Sequence, residues 1–178
     1  MDFGVHIAVI RDGAILLTQR DDVEAWVLPG GTIDPGETVA ETAVREAREE
    51  TGLEVELTGL VGIYAMPPDH HSITFSARVT GGALAPQPGE VIDLGFYSPN
   101  ALPDPLAWWH EQRIQDALAG IGGSRVWVQR HYWPFDRSVK LGMLGDMAAQ
   151  EGLSKQDFFR RHFARPAHSP DDVEERVL

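Results

Sequence analysis

The stretch Gly31–Leu53, GTIDPGETVAETAVREAREETGL, decides how the rest of the chain is read. It opens on turn formers, Asp34-Pro35-Gly36, which break any regular element before them. Thr38 and Glu41 then stand three residues apart, the spacing at which a hydroxyl and a carboxylate satisfy the first free amides of a helix. Val39, Ala40, Ala43, Val44 and Ala47 form a narrow apolar stripe of helical period. Gly52 supplies the left-handed stop. The pattern predicts a helix over Glu37–Thr51, and its small side chains predict close packing on a sheet.

The polar side of that helix carries chemistry. Glu46, Glu49 and Glu50 fall at i, i+3 and i+4, so they share one face. Arg45 can pair with Glu49 or Glu41 at i±4. In a partly desolvated cleft the mutual repulsion is roughly 3 kcal/mol per pair at ~6 Å and an effective dielectric of about 20. A divalent cation reverses that sign, and hard oxygen donors select Mg²⁺ or Mn²⁺. Three glutamates alone are more often a solvated acidic face. Two neighbours favour the metal reading. Pro29-Gly30-Gly31 leaves backbone open to a close ligand, and Glu37 stands beside the helix start.

Outward from this centre, Asp12-Gly13 between apolar runs predicts a hairpin. Asp21–Gly36 reads as a loop. Glu54–Ala65, Ser72–Thr80 and Val91–Tyr97 read as strands, and Leu106–Ala119 as a helix after Pro103-Asp104-Pro105. Arg125–Trp133 alternates like an edge strand. Ser138–Gln150 and Ser154–Phe163 look helical, and Arg165–Leu178 is a polar tail. This order predicts an α/β fold with a mixed sheet between helices.

The 178 residues suit one domain with a small extension, and 43% hydrophobic content is enough for a core. A net charge of -12 disfavours a nucleic-acid polymer as partner. It does not disfavour a small phosphate ester bridged by cations. With no cysteine, disulfides, thiolate zinc sites and cysteine nucleophiles are excluded. The sequence contains no long apolar run, so no membrane segment is expected, and a cytoplasmic protein is.

Gly31, Glu37, Arg45, Glu46, Ala47, Glu49, Glu50, Gly52 and Leu53 together resemble the Nudix box at every fixed position: Gly, five residues, Glu, seven residues, Arg-Glu-apolar, one residue, Glu-Glu, one residue, Gly-apolar. The resemblance implies a Nudix α/β/α sandwich with a mixed β-sheet over residues 1–122. Residues 123–178 are then a C-terminal extension packed on the same domain or at a dimer interface. It implies an Mg²⁺- or Mn²⁺-dependent hydrolase cutting a nucleoside diphosphate linked to another moiety. By position Glu46, Glu49 and Glu50 are metal ligands, joined by a carbonyl of Gly30 or Gly31. Arg45 orients carboxylates, and Glu37 braces the loop–helix junction or binds a further ion. A carboxylate takes the proton of the attacking water. Glu46 is the first choice, Glu90 a fourth carboxylate where relatives supply one, and Asp93 the fallback.

The box sets the reaction and not the leaving group. Pro68 lies where the ADP-ribose-cleaving group has its proline, so ADP-ribose or a nucleotide sugar leads and a house-cleaning nucleoside triphosphate hydrolase comes second. Arg20 is a candidate for a phosphate and Trp26 for a base; a strand-end arginine and a core tryptophan are the plainer readings. His70 and His71 read as loop histidines. Trp108, Trp109, Trp127 and Trp133 read as core or dimer-interface residues. A non-catalytic nucleotide sensor is the alternative from another class, disfavoured because such modules lose carboxylates that this box retains. A homodimer is expected.

Overall fold

The structure is a computed structural model that describes residues 2–66, 70–123, 125–129, 133–136, 138–163 and 174–176. Pro68 therefore lies outside the described residues. Strand β1 (Asp2–Arg11) turns at Asp12-Gly13 into β2 (Ala14–Arg20), as the sequence predicts. Two short strands follow, β3 (Trp26–Val27) and β4 (Gly30–Thr32), then α1 (Val39–Thr51), β5 (Leu53–Met66), β6 (His70–Gly82) and β7 (Val91–Tyr97). A single 3₁₀ turn at Trp108–His110 leads into α2 (Glu111–Leu118). Beyond it lie β8 (Arg125–Gln129), a 3₁₀ turn at Leu141–Met143, α3 (Leu144–Gln150), α4 (Lys155–Phe163) and β9 (Glu174–Arg176).

The sheet is mixed. It runs β3-β2-β1-β6-β5-β8-β9, with β4 paired to β1 and β7 paired to β2. β1 lies parallel to β6, and β5 lies parallel to β8; the other pairs are antiparallel. Alternation along β1 sends Val5, Ile7 and Val9 to one face, where Ala43 and Ala47 of α1 meet them. Ala8 goes to the other, with Ile15, Leu17 and Leu28, under Ile114 and Ala117 of α2. The result is the expected three-layer α/β/α arrangement.

Four expectations need correction. Asp21–Gly36 is not all loop, because β3 and β4 pair within it. Gly30 (φ +150°) packs so closely on β1 that an added Cβ would stand 2.1 Å from the Val5 carbonyl. Residues that signal a turn are here the only kind that lets two backbones approach. Next, α1 begins at Val39: Thr38 is its cap, and Glu37 precedes it. His70 and His71 lie in β6 and not in a loop, His71 stacked on Phe3 at 5.4 Å. Finally, three residues of the polar tail pair with β8 as β9, so β8 is not the edge strand that its alternation suggests but lies between β5 and β9.

The capping box forms as read: Thr38 Oγ1 accepts the Glu41 amide, and the Glu41 carboxylate accepts the Thr38 amide. Gly52 ends α1 at φ +71° with an added Cβ only 2.5 Å from the Ala83 carbonyl. Gly52→Ala is therefore expected to cost about 2–4 kcal/mol in urea unfolding, left-handed strain plus a backbone clash. A cost under about 0.5 kcal/mol would contradict this packing.

Candidate active site

The helix α1 presents its acidic face to the Gly30-Gly31 edge of β4. Gly31 is the point of closest approach, since a Cβ on it would stand 2.3 Å from Glu46 Oε1. The Gly30 amide donates to Glu50 Oε2 at 3.0 Å. Glu46 and Glu50 are only 9% and 8% exposed, whereas Glu49 is exposed. The three carboxylates thus differ: two are drawn into the sheet–helix seam and one stands at its rim.

Arg45 ties the cluster together. Its Nε donates to Glu37 Oε1 at 2.7 Å and its Nη2 to Glu37 Oε2 at 3.0 Å. Its Nη1 donates to Glu46 Oε1 at 2.8 Å and Glu49 Oε2 at 2.9 Å, and Nη2 also reaches the Thr32 carbonyl at 3.2 Å. Glu41, the other candidate partner, is engaged in the helix cap instead. Glu37 braces the loop–helix junction through Arg45, the Thr42 hydroxyl and the Asp34 amide. The Arg45 hydrogen bond is the main reason its carboxyl is held down at about 2.

Burial acts the other way deeper in the seam. It pushes the Glu50 carboxyl up to about 8, with the Gly30 amide opposing and the nearby charges of Glu46 and Glu90 adding. Burial likewise raises Glu46 against the pull of Arg45. Ionised carboxylates at these depths lack enough countercharge. A divalent cation supplies it, and the donor set here is hard oxygen throughout. As the side chains stand, no three His, Asp or Glu among the described residues surround one ion position. Arg45 holds Glu46 and Glu49, and Glu50 turns to the Gly30 amide. The donors fit Mg²⁺ or Mn²⁺ in kind, with Glu46, Glu49, Glu50 and the Gly30 or Gly31 carbonyl the residues that would hold it.

The other expected residues fall at different distances from this centre. Glu90 is exposed, on the turn before β7, and its charge acts on both Glu46 and Glu50. Its carbonyl accepts the Asp21 amide at 2.8 Å. Arg20 ends β2, within electrostatic reach of Glu50 and Glu90, and is gripped by Asp22 through two hydrogen bonds of 2.9 and 2.6 Å. Asp93 is exposed on β7, its Oδ1 accepting the Leu94 amide. Trp26 is buried edge-on to Tyr97, ring centroids 5.0 Å apart, a core position that leaves little ring face for a base.

Sequence reading assigns no role to His6, Ser72, His110 and Arg113, which gather on the α2 face. His6 Nδ1 lies 2.6 Å from Ser72 Oγ, and its ring meets that of His110 at 4.8 Å. Burial first, then the positive charges of Arg113 and Arg20, hold both imidazoles well below their usual range. Period-two alternation was the available signal, since it places His6 opposite in direction to Val5 and Ile7.

The NUDIX domain profile matches residues 2–117. The chain belongs to the Nudix family. Its members are pyrophosphatases acting on phosphorus-containing anhydrides, and they generally use divalent metal ions. A Bacillus subtilis (strain 168) protein provisionally named 8-oxo-dGTP diphosphatase is 40% identical over 129 residues, covering 71% of this chain and 86% of that one. An ADP-ribose pyrophosphatase of Methanocaldococcus jannaschii is 40% identical over 121 residues, 64% of this chain and 70% of that one. The crystal structure of an ADP-ribose pyrophosphatase from Streptococcus suis 89-1591 superposes with a TM-score of 0.61 at 27% identity. It covers 73% of this chain and 98% of its own. The mixed sheet between helices is the Nudix sandwich.

Two outcomes are expected from this Nudix seam. Gly31→Ala displaces the carboxylate end of Glu46, so turnover should fall about 100-fold while the thermal midpoint barely moves. Near-full activity would show that Glu46 has room to spare. The second concerns pH in the presence of chelator. Glu50 has a folded value of about 8 against 4.5 for the free group. Its contribution to stability is fully present below the lower value and is lost as pH rises through the upper, by about 1.4 kcal/mol per unit between them. Urea unfolding of wild type and Glu50→Gln should diverge in favour of Gln from about pH 5 to pH 8. A difference flat with pH would contradict the burial of that carboxylate.

Proposed function

We propose that this Nudix protein hydrolyses the diphosphate linkage of a nucleoside diphosphate derivative, with ADP-ribose or a nucleotide sugar favoured, and requires Mg²⁺ or Mn²⁺. The observation that carries the reading is the pair of buried carboxylates, Glu46 and Glu50, packed against Gly30-Gly31 with their charge incompletely offset. A bound divalent ion would neutralise the diphosphate and acidify the attacking water.

The chain's own groups divide the remaining work. Arg45 keeps Glu46 and Glu49 in register. Glu46 takes the proton of the attacking water, and Glu90 serves as a further carboxylate at the rim. Arg20 meets a phosphate oxygen. Its place at the end of β2, within electrostatic reach of Glu50 and Glu90, supports that assignment, and a phosphate would share the guanidinium with Asp22. The similarity to the Methanocaldococcus jannaschii ADP-ribose pyrophosphatase supports the favoured substrate. Equal identity to the Bacillus subtilis relative favours a second reading, pyrophosphohydrolysis of an oxidised deoxynucleoside triphosphate.

A hydrolysis panel of nucleotide sugars, dinucleotides and nucleoside triphosphates with Mg²⁺ and Mn²⁺ separates these. Release of AMP and ribose 5-phosphate from ADP-ribose is the expected result. Release of pyrophosphate from a triphosphate substitutes the second reading. Glu50→Gln should lose at least about 100-fold in turnover. Nucleotide binding with no cleavage by wild type across the panel would leave a sensor and overturn the hydrolase.

A further inference from the structure

The segment from Leu141 to Phe163 lies beyond the matched Nudix domain, yet it covers the strand connection that builds the site. Val23, Ala25 and Val27 are buried in one cluster with Leu144, Ala148, Phe158, Phe159 and Phe163. Gly145 of α3 stands so close that an added Cβ would lie 3.2 Å from the Asp22 carbonyl. Lys155, in the first turn of α4, donates from Nζ to the Asp21 carbonyl at 2.6 Å and lies 3.5 Å from Asp21 Oδ1.

Asp21 is the joint between two parts of the site. Its amide donates to the Glu90 carbonyl, which pins the turn carrying Glu90. Its chain neighbour Arg20 is held by Asp22 one residue further on. Arg20 is also bonded through its backbone to Glu24 and Ala25. Whatever fixes Asp21 therefore helps to hold Glu90 against Glu46 and Glu50 and to direct Arg20, beside the bonds of the turn to Gln87 and the pairing of Arg20 with Val91. A single cation on α4 reaches Asp21.

We propose that Lys155 is a positioning residue, which clamps Asp21 so that Glu90 and Arg20 are held at the acidic seam. The helical extension is then part of the hydrolytic machinery. The claim rests on the reading of Glu90 and Arg20 as members of that site, and its test separates the two. Amide exchange at Asp21 needs no substrate. Lys155→Met should speed it about tenfold by loosening the bond to Glu90, and Lys155→Arg should restore most of the protection. With the substrate that wild type cleaves, Lys155→Met should lower kcat about tenfold at an almost unchanged thermal midpoint, with Lys155→Arg near wild type.

Unchanged exchange at Asp21 overturns the clamp, whatever the activity. Faster exchange with unchanged kcat and KM overturns the positioning role. A loss of thermal midpoint with kcat intact assigns Lys155 to packing alone and also overturns it. Absence of turnover by wild type on every substrate instead removes the hydrolase reading, while the exchange rate at Asp21 still decides for or against the clamp.

Discussion

Two carboxylates, Glu46 and Glu50, are folded into a seam between a helix and a glycine strand where little water screens them. Charge at that depth is costly unless something offsets it. Arg45 offsets part, through Glu46, and the Gly30 amide another part, through Glu50. The surrounding structure answers the same demand. Gly31 has no side chain because Glu46 occupies the space, and Glu37 locks the far side of the Arg45 guanidinium. The three-layer fold makes this possible by laying the small-residue stripe of α1 flat on β1, which brings its polar edge to the end of the sheet.

Electrostatics divides the two faces of the sheet. The α1 side gathers Glu46, Glu49 and Glu50 about Arg45; the α2 side gathers His6, His110 and Arg113, with one buried carboxylate, Asp116, bonded to Tyr64 and Trp127. The imidazoles are kept neutral by burial and by the neighbouring positive charges, so they serve as hydrogen-bonding groups and not as cations. Arg20 lies within electrostatic reach of both Glu50 and Glu90, at the acidic side of this division.

What was legible in the sequence is what depends on near neighbours. The caps of α1, Thr38 and Gly52, act within one helical turn, although the helix starts two residues later than the sequence pattern suggests. The carboxylate spacing follows from helical period. The hairpin at Asp12-Gly13 is equally local. What escaped depends on partners distant in the chain. β4 pairs with β1 some two dozen residues earlier, and its glycines look like a turn until that partner is in place. His6 meets Ser72 and His110 only through the sheet and α2. Lys155 gives no signal at all until α4 is folded against Asp21. Trp26, by contrast, fell where its plainer reading put it, in the core.

The offset of buried negative charge by a bound cation is tested most directly by thermal unfolding against increasing Mn²⁺, for wild type and for the Glu46→Gln, Glu50→Gln double variant. An ion that binds only the folded seam stabilises wild type by about 2.7 kcal/mol at a hundred times its dissociation constant. The wild-type midpoint should climb with the logarithm of Mn²⁺ concentration while the double variant, already relieved of its charge, stays level. Parallel curves, whether both rise or both are flat, would contradict a cation-binding role for the seam.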